Sequence, residues 1–107
     1  MDKPFELMKS GKKTIEIRLN DEKRRQLNVG DEIEFTKISN SHEKLLAEVI
    51  ELLHYPTFKY LIDNFGMEYY GYPANTDVDE FVESIYTIYK KEDEIKYGVL
   101  GIKLRLK

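Results

Sequence analysis

The chain has 107 residues, a formal net charge of −3, 41% hydrophobic residues and 35% charged residues. This size and composition are typical of one folded domain, so residues 1–107 are interpreted as a single unit. The sequence has no cysteine, which excludes disulfides, thiolate metal sites, iron–sulfur clusters and cysteine nucleophiles. No apolar run approaches the roughly 20 residues that span a bilayer, and no secretory signal is recognisable. We therefore expect a cytoplasmic protein with no membrane partner, no metal and no cofactor.

Charge is distributed unevenly along the chain. Residues 1–25 carry eight basic and five acidic side chains, a net of +3, whereas residues 26–107 sum to −6. An anionic ligand would be drawn to the basic end, where the cations are Lys9, Lys12, Lys13, Arg18, Lys23, Arg24 and Arg25. On charge alone, a solvated surface explains the same pattern equally well.

The first half of the chain contains four predicted elements. Pro4 is tolerated in the first turn of a helix, and Gly11 is suited to ending one. Strict alternation of polar and apolar residues predicts a strand over 13–19. In chain order, the pattern predicts a helix before Gly11, this strand, a helical turn over 22–27 capped by Asp21, and a second strand around 33–35 after a turn at 28–31.

The second half contains two further predicted strands and two helices. Segment 44–55 mixes helix-favouring and strand-favouring residues and is interpreted as a strand, while 39–43 and 66–77 are interpreted as surface loops. Thr57 and Asp77 are N-cap candidates for amphipathic helices that extend to Phe65 and Ile88. An apolar run over 99–106 predicts a last strand that closes the sheet. The predicted class is α+β.

The alternating segment 13–19 is also the most informative chemically. It sends Glu16 and Arg18 to one face and the apolar residues Ile15, Ile17 and Leu19 to the core. The charged pair is either a surface ion pair worth less than about 1 kcal/mol or the lining of a cleft, where buried charges must be paired. In the cleft, we expect Glu16 to contact Arg18 or Lys13, with Lys13 at the mouth.

Three motifs carry a resemblance to a known family. Gly11-x-Lys13-x-x-Glu16-x-Arg18 is followed by Leu19-x-Asp21-x-Lys23-Arg24-Arg25 and by Gly30-Asp31-x-Ile33-x-Phe35. This series resembles the ASCH domain family over almost the whole chain, and Lys96-Tyr97-Gly98-Val99 agrees with it. The resemblance implies a small PUA-like mixed β-barrel flanked by short helices. It also implies a cleft beside the first motif that binds RNA or a nucleotide-like small molecule.

The resemblance assigns roles to six residues. Lys13, Glu16 and Arg18 would line the cleft, and the three consecutive cations Lys23, Arg24 and Arg25 would contact phosphate at its rim. Arg24 and Arg25 could instead be solvated side chains of a helical turn, and the resemblance favours phosphate contact by at least one of the two. The tyrosines at 69, 70, 72, 86, 89 and 97 either stack on bases or pack on the core, and core packing is the commoner role.

A second function is open at the same cleft. Small bacterial relatives include amidohydrolases that act on the modified nucleoside N4-acetylcytidine with a Lys, a Thr and a Glu. Lys13 matches the Lys, but Glu16 stands at the Thr position, so Glu16 would serve here as a general base that activates water. The third member has only the candidates Glu68 and Glu80.

The start of the chain departs from the family pattern. Many ASCH domains place a strand before the first helix, and residues 1–3 leave no room for it. Either the barrel lacks that strand or the true start of the protein lies upstream. A strand edge left without its neighbour would be available for pairing with a second copy, which makes a homodimer an expectation.

Overall fold

The structure is a computed structural model and describes residues 3–107; Met1 and Asp2, on which the prediction about a preceding strand depends, lie outside it. Four helices and four strands follow one another in this order: α1 Lys3–Lys9, β1 Ile15–Leu19, β2 Glu32–Lys37, β3 Asn40–Tyr55, α2 Phe58–Asn64, α3 Val78–Ile85, α4 Lys91–Tyr97 and β4 Val99–Leu106. Two 3₁₀ turns, Arg24–Gln26 and Met67–Tyr69, lie in the connections. None of the helices in 3–107 combines the length and hydrophobicity that crossing a bilayer requires.

The four strands form one curled antiparallel sheet, a half-barrel, in the order β1-β4-β3-β2. The 16-residue strand β3 pairs with β2 along its first part and with β4 from Ala47 onward. Both register shifts in β3 pairing, near Lys37 and near Val49, are irregularities that bend a strand. The α+β class, with a barrel-like sheet flanked by helices, is confirmed, and the described strands pair only antiparallel.

Both faces of β1 are buried, which the alternation alone does not require. Ile15, Ile17 and Leu19 pack into a core shared with α2, α3 and the aromatic residues of the intervening loop, as predicted. Glu16 and Arg18 stand opposite Ile102 and Leu100 of β4. Those two apolar side chains belong to a second apolar cluster on the other face of the sheet. Glu16 therefore lies on the face of the sheet that carries the second apolar cluster.

The predicted caps are confirmed. Gly11 has φ +79°, the left-handed conformation that ends a helix at low steric cost. Asp21 Oδ1 accepts from the backbone N–H of Arg24 at 3.1 Å and opens the 3₁₀ turn. Thr57 and Asp77 accept from the third backbone N–H of α2 and α3, each at 3.1 Å.

Several segments differ from the sequence prediction. Segment 66–77, expected to be a surface loop, contains a 3₁₀ turn and buries Met67 and Tyr70 in the core. Residues 40–43 belong to β3 rather than to a loop, because a two-residue turn at 38–39 joins β2 directly to a polar, exposed strand end. Helix α3 ends at Ile85, and Ile88 lies beyond it in a turn with 72% of its surface exposed. Helix α4 was not predicted, because its apolar residue, Ile95, points to solvent while Glu94 is buried.

Candidate nucleotide-binding cleft

Glu16 is the buried charge at the centre of the site. Its side chain is 7% exposed, and one of its two oxygens, Oε1, receives three donors. Lys13 Nζ lies 2.9 Å away, Arg18 Nη1 lies 3.1 Å away, and the backbone N–H of Ile17 donates at 3.2 Å. The predicted cationic partners of Glu16 are confirmed, and both are present. Two cations and a backbone amide compensate the cost of burying the carboxylate.

The second carboxylate oxygen, Oε2, differs from the first. Within residues 3–107, the hydrogen bonds to the Glu16 carboxylate both go to Oε1, and Oε2 accepts none. It is not sealed inside the fold either, since Asn20 Oδ1 is the one buried side-chain polar atom without a partner in the described chain. Oε2 therefore keeps its acceptor capacity for a group outside the protein.

A cleft of about 260 Å³ lies against this carboxylate. The apolar part of its wall comes from the segment after the 3₁₀ turn, from β2 and from β4. Its polar lining comprises Glu16, Arg18, Lys23, Arg24 and Glu34, and its apolar lining comprises Leu27, Ile33, Phe35 and Ile102. A mostly apolar wall with a few converging polar groups is the usual composition of a small-molecule site.

Cations dominate the rim of the cleft. Arg18 is 31% exposed in its side chain, and its Nη1 is held by Glu16 and by the carbonyl of Ile17 at 2.9 Å. Arg24 lies 3.8 Å from Asp21, a loose contact, and Lys23 has no ion pair within the described residues. The rim therefore presents two cations that are not neutralised by close carboxylates.

Arg25 is placed away from the cleft. Its Nε donates to the backbone carbonyl of Asn20 at 2.8 Å, and the residue is exposed and does not line the cavity. The cause is the 3₁₀ geometry of Arg24–Gln26, in which successive side chains point in different directions. Of the three consecutive cations, two face the cleft.

Lys13 does not lie at the mouth of this cleft, contrary to the expectation from the sequence. Its side chain is only 12% exposed and lines a second cleft of about 440 Å³, together with Thr14, Tyr69 and apolar residues of β3 and β4. A single bridge to Tyr70 outside the regular strands fixes its backbone. Lys13 thus forms an ion pair with Glu16 but lines the second cleft and not the first.

Most of the tyrosines considered for base stacking are part of the core. Tyr70 is 1% exposed and its hydroxyl donates to the carbonyl of Leu61 at 3.1 Å, so burial raises its pKa. The others in the set that pack against the first core are Tyr72, Tyr86, Tyr89 and Tyr97. Tyr69 is 42% exposed and lines the second cleft, and its ring packs edge-on against Phe65. Among residues 3–107, no tyrosine lines the first cleft.

The lining residues Leu27, Glu34 and Phe35 were not identified from the sequence as site residues. The sequence does contain a signal for Phe35, because the alternation in β2 places Ile33 and Phe35 together on its half-buried face. Glu68 and Glu80, the candidates for a third catalytic group, are exposed and line neither cleft. In the described part of the chain, no group of His, Asp or Glu side chains could hold a metal ion.

Comparison with known proteins identifies the family. The family model described as "ASCH domain" matches residues 1–107. The crystal structure of hypothetical protein PH0355, a Pyrococcus protein, is 36% identical, covers 100% of this chain and 94% of its own, and superposes with a TM-score of 0.85. The solution structure of protein PF0455 from Pyrococcus furiosus is 33% identical, covers 99% and 92%, and has a TM-score of 0.74. No curated protein matches. A family match over the full length, together with two solved structures of the same fold, shows that this chain belongs to the ASCH domain family.

Proposed function

We propose that the chain binds a nucleotide or a single-stranded RNA segment in the cleft beside Glu16. The observation that supports this most directly is the composition of the cleft, which combines an apolar wall, a buried carboxylate and a cationic rim. The apolar wall suits the face of a nucleobase, and the cations suit phosphate. Proteins that bind single-stranded nucleic acid combine a positively charged groove with aromatic side chains on which bases stack, and Phe35 is the aromatic residue in this lining.

The division of labour follows from the exposure of each group. Lys23 and Arg24 stand at the rim without close carboxylate partners, so they contact phosphate. Arg18 is oriented by Glu16 and by the carbonyl of Ile17, which leaves the rest of its guanidinium for the ligand. Arg25 lies outside the cleft and contributes only to the surrounding positive potential.

The test is RNA binding as a function of salt. Replacing Lys23 and Arg24 with glutamine should weaken binding of a short single-stranded RNA and should lower the salt slope by roughly 0.7 for each phosphate that the variant no longer neutralises. The matched control replaces Lys90 and Lys91 with glutamine, because these are also two adjacent cations and they do not line the cleft. Equal decreases in affinity for both variants would mean that binding follows net charge and not this cleft, and the proposal would be wrong.

The contact between Lys13 and Glu16 favours one alternative, amide hydrolysis of a modified nucleoside. In this reaction Oε2 of Glu16 removes a proton from water and the water oxygen attacks the amide carbon. The carbon–nitrogen bond then breaks as Glu16 returns that proton to the leaving nitrogen, which becomes the amino group of cytidine. Lys13, 2.9 Å from Oε1, holds the carboxylate in place. Incubation with N4-acetylcytidine would yield acetate and cytidine, which mass spectrometry detects. Glu16→Gln should abolish the turnover, and an absence of cytidine with the unmodified protein would refute the alternative.

A further inference from the structure

Glu16 presents two chemically different oxygens, and the difference implies a selection rule for the ligand. Oε1 accepts hydrogen bonds from Lys13 Nζ and the N–H of Ile17 and lies 3.1 Å from Arg18 Nη1, while Oε2 accepts no hydrogen bond within the described chain and belongs to a side chain that lines the cleft. A carboxylate oxygen can only accept hydrogen bonds. Whatever lies against Oε2 must therefore offer an N–H or O–H group.

We propose that Glu16 selects nucleobases by accepting a hydrogen bond from an exocyclic amino group. The inference rests on the proposed function, namely nucleotide binding in this cleft. Cytosine and adenine carry such an amino group, and uracil and hypoxanthine carry a carbonyl oxygen in the same position. The carbonyl would face the carboxylate oxygen acceptor to acceptor, so the cleft prefers the amino-substituted base of each pair.

The dimensions of the cleft agree with recognition of a single base. Its volume of about 260 Å³ lies just below the roughly 300–1,000 Å³ of sites for drug-sized ligands. Phe35, Leu27 and Ile102 form the wall that would cover the face of the ring. The sugar and phosphate then extend toward Lys23 and Arg24. Base selection and phosphate binding thus depend on different residues.

The three donors on Oε1 make the substitution Glu16→Gln unusually informative. Lys13 Nζ and the N–H of Ile17 both donate to Oε1, and Arg18 Nη1 lies 3.1 Å from it, so the amide carbonyl and not the amide NH₂ group must occupy the position of Oε1. The amide NH₂ group then takes the position of Oε2 and faces the cleft as a donor. The variant should prefer uracil over cytosine, which is the reverse of the order in the unmodified protein.

The experiment is an NMR titration of the full chain with CMP, UMP, AMP and IMP. With the unmodified protein, CMP should bind about tenfold more tightly than UMP, and AMP about tenfold more tightly than IMP. Glu16→Gln should reverse both orders. Glu22→Gln is the matched control, because Glu22 is exposed, lines neither cleft and undergoes the same change of charge. This control should keep the original order.

The outcomes distinguish failure of base selection by Glu16 from failure of nucleotide binding in the cleft. Equal affinities for CMP and UMP in the unmodified protein would overturn base selection and leave nucleotide binding intact. No binding of any of the four nucleotides would overturn the proposed function as well. If the Glu16→Gln variant does not fold, the affinity of the unmodified protein for ribose 5-phosphate is compared with its affinity for CMP instead. Ribose 5-phosphate that binds as tightly as CMP would show that the base is not recognised, whereas much weaker binding supports the proposal.

Discussion

Glu94 is the buried carboxylate whose removal should cost the fold most. It is 5% exposed, its Oε2 accepts from the backbone N–H of Phe58 at 2.8 Å, and its Oε1 accepts from the hydroxyl of Tyr86 at 2.8 Å. Hydrogen bonds to charged groups contribute roughly 1.5–3 kcal/mol each. Glu94→Ala removes two of them and leaves the N–H of the fully buried Phe58 without an acceptor. We expect the free energy of unfolding to fall by about 3–5 kcal/mol.

Urea denaturation measures this decrease as a lower midpoint at an unchanged slope. The matched control is Glu92→Ala, on the same helix and exposed, which should cost less than about 1 kcal/mol through the helix dipole alone. A Glu94→Ala variant no less stable than Glu92→Ala would refute the reasoning. It would mean that water or a rearranged side chain replaces the carboxylate at the start of α2.

Two further predictions concern charge and pH. Lys13→Met leaves Glu16 with Arg18 as its single cation and should lower the free energy of unfolding by about 2 kcal/mol. The control, Lys9→Met, breaks the exposed ion pair with Glu43 and should lower it by less than about 1 kcal/mol. Equal urea midpoints for the two variants would contradict this prediction. Burial and the hydrogen bond to a carboxylate raise the pKa of Tyr86 from 10.0 to about 12, so the stabilisation that this protonated phenol provides is complete below pH 10 and is lost as the pH rises through about 12. Ultraviolet titration of tyrosinate checks it, and Tyr86→Phe should remove one late-titrating group.

The chemistry of β1 could be predicted from the sequence because a strand has a fixed period. Alternation alone places Glu16 and Arg18 on one face, and the motif spacing that resembles the family adds the cleft. The number of donors on Oε1 could not be predicted. It depends on where the backbone before β1 carries Lys13, and that position is set by the bridge to Tyr70, a residue far along the chain.

The missed helix α4 shows the opposite case. A surface helix is recognised by its apolar face, but here the buried residue is Glu94, the aliphatic Ile95 is 84% exposed, and only Tyr97 at the end of the helix packs against the core. The partner that makes the burial of Glu94 favourable is the N–H of Phe58, 36 residues earlier. Short-range patterns cannot reveal such a partner. In the same way, the turn at Arg24–Gln26 was predictable, but the direction of Arg25 was not.

The position of β4 in the sheet has a consequence for synthesis of the protein. This strand follows the other three along the chain, yet it lies between β1 and β3. About 80 residues separate Leu19 from its partner Val99, an interval that a ribosome takes roughly 4–16 s to translate at about 5–20 residues per second. Throughout that interval β1 has no strand to pair with. The cleft beside Glu16 is therefore among the last parts of the nascent chain to form. During this interval, chaperones that bind exposed apolar strands have time to bind β1.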